Sequence, residues 1–463
     1  MSKKICFISN FHITELFEKI AVGLQEKGCE IFWICPNKDA YNKLSEVWGS
    51  ENTLYIGMSS VISYQGDAKI PYPESLTDIN SNDLVIRDRI LKHRSNQGAE
   101  YLSKLKTVAF DFLTKNKITA VFGEATWSHE VLINRICLQV QECTATYYNP
   151  LTLRLPQQTF GFFLDEYQSN LSQHKTVSDI TDEMSERYDV TIVNSSNKEL
   201  PLPEYLTLMD DVVAKANSFS NQLMQTYNLF FKSIDKQDPT LEISKSRRFF
   251  GGVIKYFKAK AYRQFKKIQL QDVIDLNYYL YPLHKQPEAS IDVIGKYYDD
   301  QLLNIRNIAS QLKDDEYLLV KEHSNAIGDR GYSFYNQLSR YPRVLLVNDQ
   351  ENMKQLIKNS RGVFTVSGTA ALEAALMGVN CFCFSKVYFR DLAHCKMVSI
   401  EDFDKNPRLS TVKTGQLDKQ AFANKLLTSA CNGIISDPIS DIRCIHPENI
   451  RNLVKEFYAV IKK

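Results

Sequence analysis

The chain has ten cysteines but no CxxC pair, no apolar run long enough to cross a bilayer, and almost no excess of charge of either sign. Each absence excludes something. Cys381 and Cys383 share a strand-like stretch, but neither a second pair nor a nearby histidine completes a metal-ligand set. A spanning helix needs about 20 apolar residues, and the opening "MSKKICFISNFH" is too short even for a secretory leader. A formal net charge of +2 gives no global attraction to nucleic acid. There is no low-complexity segment and no internal repeat. These readings point to a protein of the reducing cytoplasm, with any membrane contact peripheral.

What is present is the composition of an ordinary globular protein, 44% hydrophobic and 24% charged over 463 residues, long enough for two domains. "KKICFIS", an amphipathic run over 14–27, Gly28 and "CEIFWIC" read as strand, helix, helix-ending glycine, strand. "ITAVFGE", a helix from about Ser128 to Gln141 and "TATYYNP" repeat the unit, and "DVTIVNSS" reads as one more strand. From Leu276 the alternation returns, with strands expected at 278–283, 317–322, 343–347, 362–366 and 380–384. Helices are expected near 290–312, 332–340, 351–359 and 369–377. Such alternation implies an α/β protein with two doubly wound, mostly parallel sheets. The expected domains are 1–195, a helical linker or insertion at 196–270, a second domain at 271–445, and a helix at 446–463 packing back on the first. In the linker, "SKSRRFFGGVIKYFKAKAYRQFKKIQ" mixes lysines, arginines and aromatics with no acid. That suits contact of 245–267 with an anionic membrane surface, and its two glycines argue against one continuous helix.

Three segments of the second domain carry candidate chemistry. In "GVFTVSGTAALEAALMGVNCFCF" a strand ends at a turn of Ser367, Gly368 and Thr369, and a helix follows with Glu373 one turn in. Hydroxyls and unpaired N–H groups at such a turn favour a phosphate, although no lysine follows as in a P-loop. "YLLVKEHSNAIGDRG" sets Lys321 and His323 at a strand's carboxyl end. "YYLYPLHKQPEAS" sets His284, Gln286 and Glu288 in a loop stiffened by two prolines. Ligands of open α/β sheets bind beyond the carboxyl ends of the strands, so the three turns are expected to share one rim. In the first domain, "AVFGEATWSHE" places Glu124 at a strand end, a candidate nucleophile or acid/base, followed by Trp127. "YYNPLTLRLPQQTFGFF" adds Arg154. Asp402-Phe403-Asp404 has the DxD pattern, but it stands in a polar region after the last confident strand, and no metal is expected.

"YYLYPLHKQPEAS", "LLVKEHSNAIGDRG" and "VSGTAALEAALMGVNCFCF" resemble the ordered motifs of bacterial capsule polysaccharide biosynthesis proteins, a family that includes transferases for Kdo and related ulosonic acids. The resemblance covers roughly 276–390. It implies the GT-B fold, two Rossmann-like domains facing an interdomain cleft, and a CMP-activated ulosonic acid donor with a glycan or lipid-linked acceptor. It implies no cofactor and no metal. Gln286 and Glu288 match the QPE element, Lys321 and His323 the KEHP element with Ser324 in place of proline, and Ser367 and Thr369 the pair that holds the donor phosphate. The roles expected are catalytic for Glu124, Glu288 and His323, donor-binding for His284, Gln286, Lys321, Ser367, Gly368, Thr369 and Glu373, and acceptor-side for Trp127 and Arg154. Rival readings keep the architecture: a hexosyltransferase, polyol-phosphate polymerase or sugar-nucleotide 2-epimerase using UDP-sugar or CDP-polyol donors, or a non-catalytic glycan-assembly protein.

Overall fold

The computed structural model describes residues 2–66, 72–153, 156–176, 180–193, 235–242, 244–399, 401–402 and 415–462. Thirteen strands occur in chain order: β1 Lys4–Ile8, β2 Glu30–Cys35, β3 Thr53–Tyr55, β4 Ala120–Phe122, β5 Thr146–Leu153, β6 Thr159–Phe163, β7 Asn277–Pro282, β8 Glu316–Lys321, β9 Val344–Val347, β10 Gly362–Thr365, β11 Cys381–Cys383, β12 Cys395–Met397 and β13 Ala430–Asn432. They form two sheets, one in each of two compact units. Unit 1 is Met1–Ile180 with Pro201–Lys245 and Thr428–Lys463, and unit 2 is Thr181–Leu200 with Ser246–Leu427.

The sheet of unit 1 has the order β13-β6-β5-β4-β1-β2-β3. Its strands β1 to β5 run parallel, and β6 and β13 close one edge antiparallel. The strands read as near-continuous apolar runs because helices cover both faces. Phe7, Phe122 and Phe162 meet Phe457 of the last helix, Pro447–Lys462, with ring centroids 4.6 Å apart for Phe122 and 4.9 Å for Phe162. That helix also lies against Ile13–Glu26 at Gly23, where an added Cβ would come within 2.5 Å of Val454. The chain therefore returns to unit 1 at Thr428 rather than near 445, because β13 pairs with the open edge of β6.

Unit 2 has a wholly parallel sheet, β12-β11-β10-β7-β8-β9. From β7 the chain winds outward through β8 and β9, then crosses back to β10 on the other side of β7. The strand order reverses between β7 and β10. In unit 1 the same reversal falls between β1 and β4.

Three expectations are corrected. The "DVTIVNSS" segment is no strand over its described part: Asp189–Val193 is a π-helical turn continuing the helix Asp182–Tyr188. A short apolar run cannot be told from a helix by periodicity, and here Thr181 caps the helix while Gln420 donates to Asp189 at 3.0 Å. The helix expected at 290–312 is two, Ala289–Asp292 and Gln301–Ala309, since Asp300 accepts from Leu303 N–H as an N-cap. The linker helix Lys245–Gln264 is continuous despite Gly251 and Gly252. Two helical glycines cost about 2 kcal/mol together, and tertiary contacts downstream offset this. Tyr262 is buried and donates to Asp349 at 2.9 Å, Lys255 pairs with Asp329 at 3.1 Å, and Lys258 donates to the Asp329 carbonyl at 2.9 Å. Beyond the helix, Ile268 bridges to Val347 at the β9 edge. The expected piece 196–270 thus divides at 245/246, with its basic helix belonging to unit 2.

Candidate functional site

The rim of unit 2 is built by β7, β8 and β10, neighbours whose carboxyl ends point the same way. His284, two residues beyond β7, is buried, and its Nε2 accepts from the Thr365 hydroxyl at 2.9 Å and from Val366 N–H at 3.3 Å. A ring nitrogen accepting two bonds carries no proton, and burial beside His323 and Arg330 lowers the His284 pKa to about 3. This imidazole is a neutral clamp across the reversal point. Gly368 passes so close that a Cβ would lie 2.7 Å from Thr365 Oγ1 and 3.2 Å from His284 Cε1, so a side chain there would pry the clamp apart.

The other turn residues are held by the same rim. Ser367 donates to the Ser290 carbonyl at 2.5 Å, joining the turn after β10 to the loop after β7. Gly368 N–H donates to Thr365 Oγ1 at 3.0 Å. Thr369 begins the helix Ala370–Leu376 with no side-chain cap bond, and Glu373 is half-buried one turn along. Gln286 donates to Asp292 at 3.2 Å and accepts from Gln301 at 3.3 Å. Glu288 is exposed and accepts from Ser290 Oγ at 2.9 Å.

After β8, Lys321 is buried and its ammonium donates to the Asp349 carbonyl at 2.7 Å, towards β9. Glu322, between the two expected site residues, is fully covered. It pairs with Arg330 at 2.6 Å and accepts from Tyr335 at 2.5 Å, and burial raises its pKa against both. Arg330 also donates to the His284 carbonyl, so one guanidinium fixes the loops after β7 and β8 together. His323 accepts from Asn325 N–H through Nδ1 at 3.2 Å, which leaves the proton of the neutral ring on Nε2. With serine rather than proline at 324, the ring is still pinned.

In unit 1, Asn10 follows β1 and Glu124 follows β4, the two strands flanking that sheet's reversal. Asn10 Nδ2 donates to Glu124 Oε2 at 2.5 Å. Glu124 does not cap the next helix. Glu130 does, accepting from the N–H groups of Glu124, Thr126 and Trp127 at 2.9–3.1 Å. The Glu130 carboxylate also acts on its neighbour. Burial first, Glu130 second and Asp437 third raise the Glu124 pKa to about 8, against the Asn10 bond and the more distant Arg89. Two residues at the site have left-handed backbone that side chains disfavour, Phe11 at φ 39° and Ala125 at φ 51°. Trp127 is buried under Arg89, whose guanidinium lies 4.9 Å from its ring, and Phe11 lies 5.7 Å away. Arg154, Phe403 and Asp404 lie outside the described residues, and Asp402 accepts from Ser399 N–H at 2.6 Å.

Residues 248–422 match the model of a family described as capsule polysaccharide biosynthesis protein, a stretch lying wholly within unit 2. The match covers about two fifths of the chain and is a likeness of this stretch alone. No curated protein matches the chain in sequence. Among solved structures, the β-Kdo 2,4 transferase KpsC of Thermosulfurimonas dismutans is 12% identical with a TM-score of 0.36, covering 73% of this chain and 87% of its own. The β-Kdo 2,7 transferase KpsC of the same organism is 12% identical at 0.35, covering 77% and 89%. The UDP-GlcNAc 2-epimerase of Methanocaldococcus jannaschii, in complex with UDP-GlcNAc and UDP, is 10% identical at 0.26, covering 99% of both. Likenesses this distant decide neither substrate nor mechanism.

Within unit 2 the sequence pattern marks the three turns but not what locks them: Thr365, Arg330, Tyr335 and Asp349. Only Arg330 left a signal, a cation eight residues past a buried carboxylate in "KEHSNAIGDRG". Cys395 was missed as a neighbour of Cys381 and Cys383. The three buried thiols lie within 4.8 Å of one another because β12 sets Cys395 opposite Cys381.

Proposed function

We propose that the chain is a glycosyltransferase of surface polysaccharide synthesis that moves an ulosonic acid, Kdo or a nonulosonic acid, from a CMP-activated donor to a glycan or glycolipid. The observation that carries this reading is the convergence of three turns on the reversal point of the unit 2 sheet, where α/β folds bind nucleotides. In the reaction the bond between the anomeric carbon and the CMP phosphate oxygen breaks, and negative charge grows on the departing phosphate. The Thr369 hydroxyl and the His323 Nε2–H are the donors of this rim suited to that charge. Their alignment is fixed by the clamp of His284, Thr365, Ser367 and Arg330. The acceptor hydroxyl loses a proton to Glu124 if configuration inverts. If it is retained, the Glu124 carboxylate attacks the anomeric carbon and displaces CMP; the acceptor oxygen then displaces Glu124, its proton passing to the departed CMP phosphate. A carboxyl with a pKa of about 8 suits the proton transfer of the inverting course. On this reading hydrogen bonds from the Thr369 and His323 donors meet the leaving charge without a metal ion.

The test is differential thermal stabilisation by CMP, CDP and UDP, followed by transfer from a panel of CMP-ulosonic acids to a synthetic lipid-linked acceptor read by mass spectrometry. CMP should stabilise most, and stabilisation by UDP alone overturns the donor assignment. The same reading places the enzyme at an anionic membrane. The first half of the helix Lys245–Gln264 leaves Phe250, Val253, Ile254, Tyr256 and Phe257 46–65% exposed beside Lys255 and Lys260, while among the described residues no helix is long and apolar enough to cross a membrane. Replacing the lysines and arginines of 245–267 with glutamine should release the protein from phosphatidylserine vesicles in a sedimentation assay. Unchanged sedimentation removes the membrane claim.

A further inference from the structure

Unit 1 carries a second group of side chains at its reversal point, beside Glu124 but apart from the proton chemistry assigned to it. Arg89 is half-buried and lies over the Trp127 ring at 4.9 Å. Among the described residues it has no hydrogen-bond or ion-pair partner, although Asp437 and Glu130 act on the same Glu124 carboxyl as it does. The positively charged arginines that unit 1 builds into its core behave differently: Arg135 is held by Asp83 at 2.7 Å and Glu166 at 2.6 Å. A guanidinium stacked on an indole keeps its donor edge directed outward for a planar anion.

The second observation is Phe11. It is 54% exposed, immediately follows the residue that bonds Glu124, and packs its ring beside Trp127 at 5.7 Å. Its φ of 39° is costly for an aromatic residue. Nothing in the packing of the core rewards an exposed phenylalanine held in this backbone conformation. An aromatic ring open to solvent presents a face on which the C–H side of a pyranose can stack, and the guanidinium beside it matches a carboxylate in two parallel bonds.

We propose that Phe11, Trp127 and Arg89 form a binding corner for an acidic sugar, the pyranose ring against Phe11 and its carboxylate on Arg89. As the acceptor subsite next to Glu124, the corner rests on the transferase reading; as a sugar-binding site it does not. Trp127 acts through Arg89, holding the guanidinium flat, so it is a positioning residue.

The experiment titrates the full chain with methyl β-glucuronide, its methyl ester and methyl β-glucoside, followed by saturation-transfer NMR and calorimetry, with inorganic phosphate as competitor. The acid should bind about tenfold tighter than the ester or the glucoside. Arg89→Gln should remove that preference, Arg89→Lys should keep part of it, and Phe11→Ala should weaken all three sugars about fivefold without changing their ratio. Equal binding of acid and ester overturns the proposal, and so does a preference that survives Arg89→Gln. Displacement of the glucuronide by phosphate at equal concentration would show a general anion site and overturn the sugar assignment. Nucleotide stabilisation, measured on the same samples, separates the two readings. Loss of CMP binding with the acid preference intact would sink the donor assignment and leave this corner standing.

Discussion

The two units carry the same device, a reversal of strand order with polar turns on either side, yet they fill it with opposite chemistry. In unit 2 the reversal is closed by the protein's own hydrogen bonds: His284 to Thr365 and Val366, Ser367 to Ser290, Arg330 to Glu322. What remains for a ligand is a rim of donors whose positions are fixed beforehand. In unit 1 the reversal holds a carboxyl made reluctant to ionise, with one amide on it, and a cation that has no ion-pair partner among the described residues. Donors fixed beforehand suit a group that gains negative charge, whereas a carboxyl titrating near 8 can take up a proton only in its ionised form. The contrast teaches that one sheet topology can carry quite different side-chain chemistry on its loops.

The contrast breaks first at Glu124. Glu124→Gln should lower transfer about a thousandfold or more, the range of lost acid–base catalysis, in a single-turnover assay. The same variant tests the pKa. Glu124 ordinarily titrates at 4.5 and in the fold at about 8, so its folded form holds an extra proton between those values. Its contribution to stability is complete below about 4.5 and declines as pH rises through 8. The variant should therefore gain in melting temperature over the wild type as pH goes from 5 to 8. A constant difference contradicts the raised pKa.

In unit 2 the largest effect should come from Arg330→Ala, which strands the covered Glu322 carboxylate. About 3–5 kcal/mol of stability should be lost in urea titrations, with CMP stabilisation reduced as the loops after β7 and β8 loosen. His284 should act in the other direction of pH. Its pKa is lowered from 6.5 to about 3, so its contribution is present above 6.5 and is lost as pH falls towards 3. His284→Gln should flatten that acid-side loss, as checked by melting curves from pH 3.5 to 7. The smallest effects sharpen the comparison within one turn. Ser367→Ala should cost about 1 kcal/mol of stability because it frees the Ser290 carbonyl. Thr369→Ala should leave stability unchanged and weaken CMP binding, and the reverse pattern would exchange their roles.

Much of this architecture was legible beforehand, and the reasons differ by element. The strands of unit 2 announce themselves as apolar runs ending in polar turns, since a strand covered on both faces has no other way to read. The turns at 284–288, 321–323 and 367–369 followed from the same endings. Asp189–Val193 misled because a run with three apolar residues satisfies strand and helix alike. Gly251 and Gly252 misled because propensity gives way to contacts such as Lys255 with Asp329, made far along the chain. That Glu130, not Glu124, accepts the N–H groups of this turn was decided by the loop's path, which leaves Glu124 desolvated.

The alternation of strands and helices and the residue types at each turn were fixed by local pattern, because periodicity and turn chemistry act over a few residues. Which groups touch was decided by the tertiary fold alone. That His284 meets Thr365, that Asn10 meets Glu124, and that the last helix and β13 complete the first unit all depend on partners many residues apart, brought together by strand order and burial rather than by neighbouring sequence.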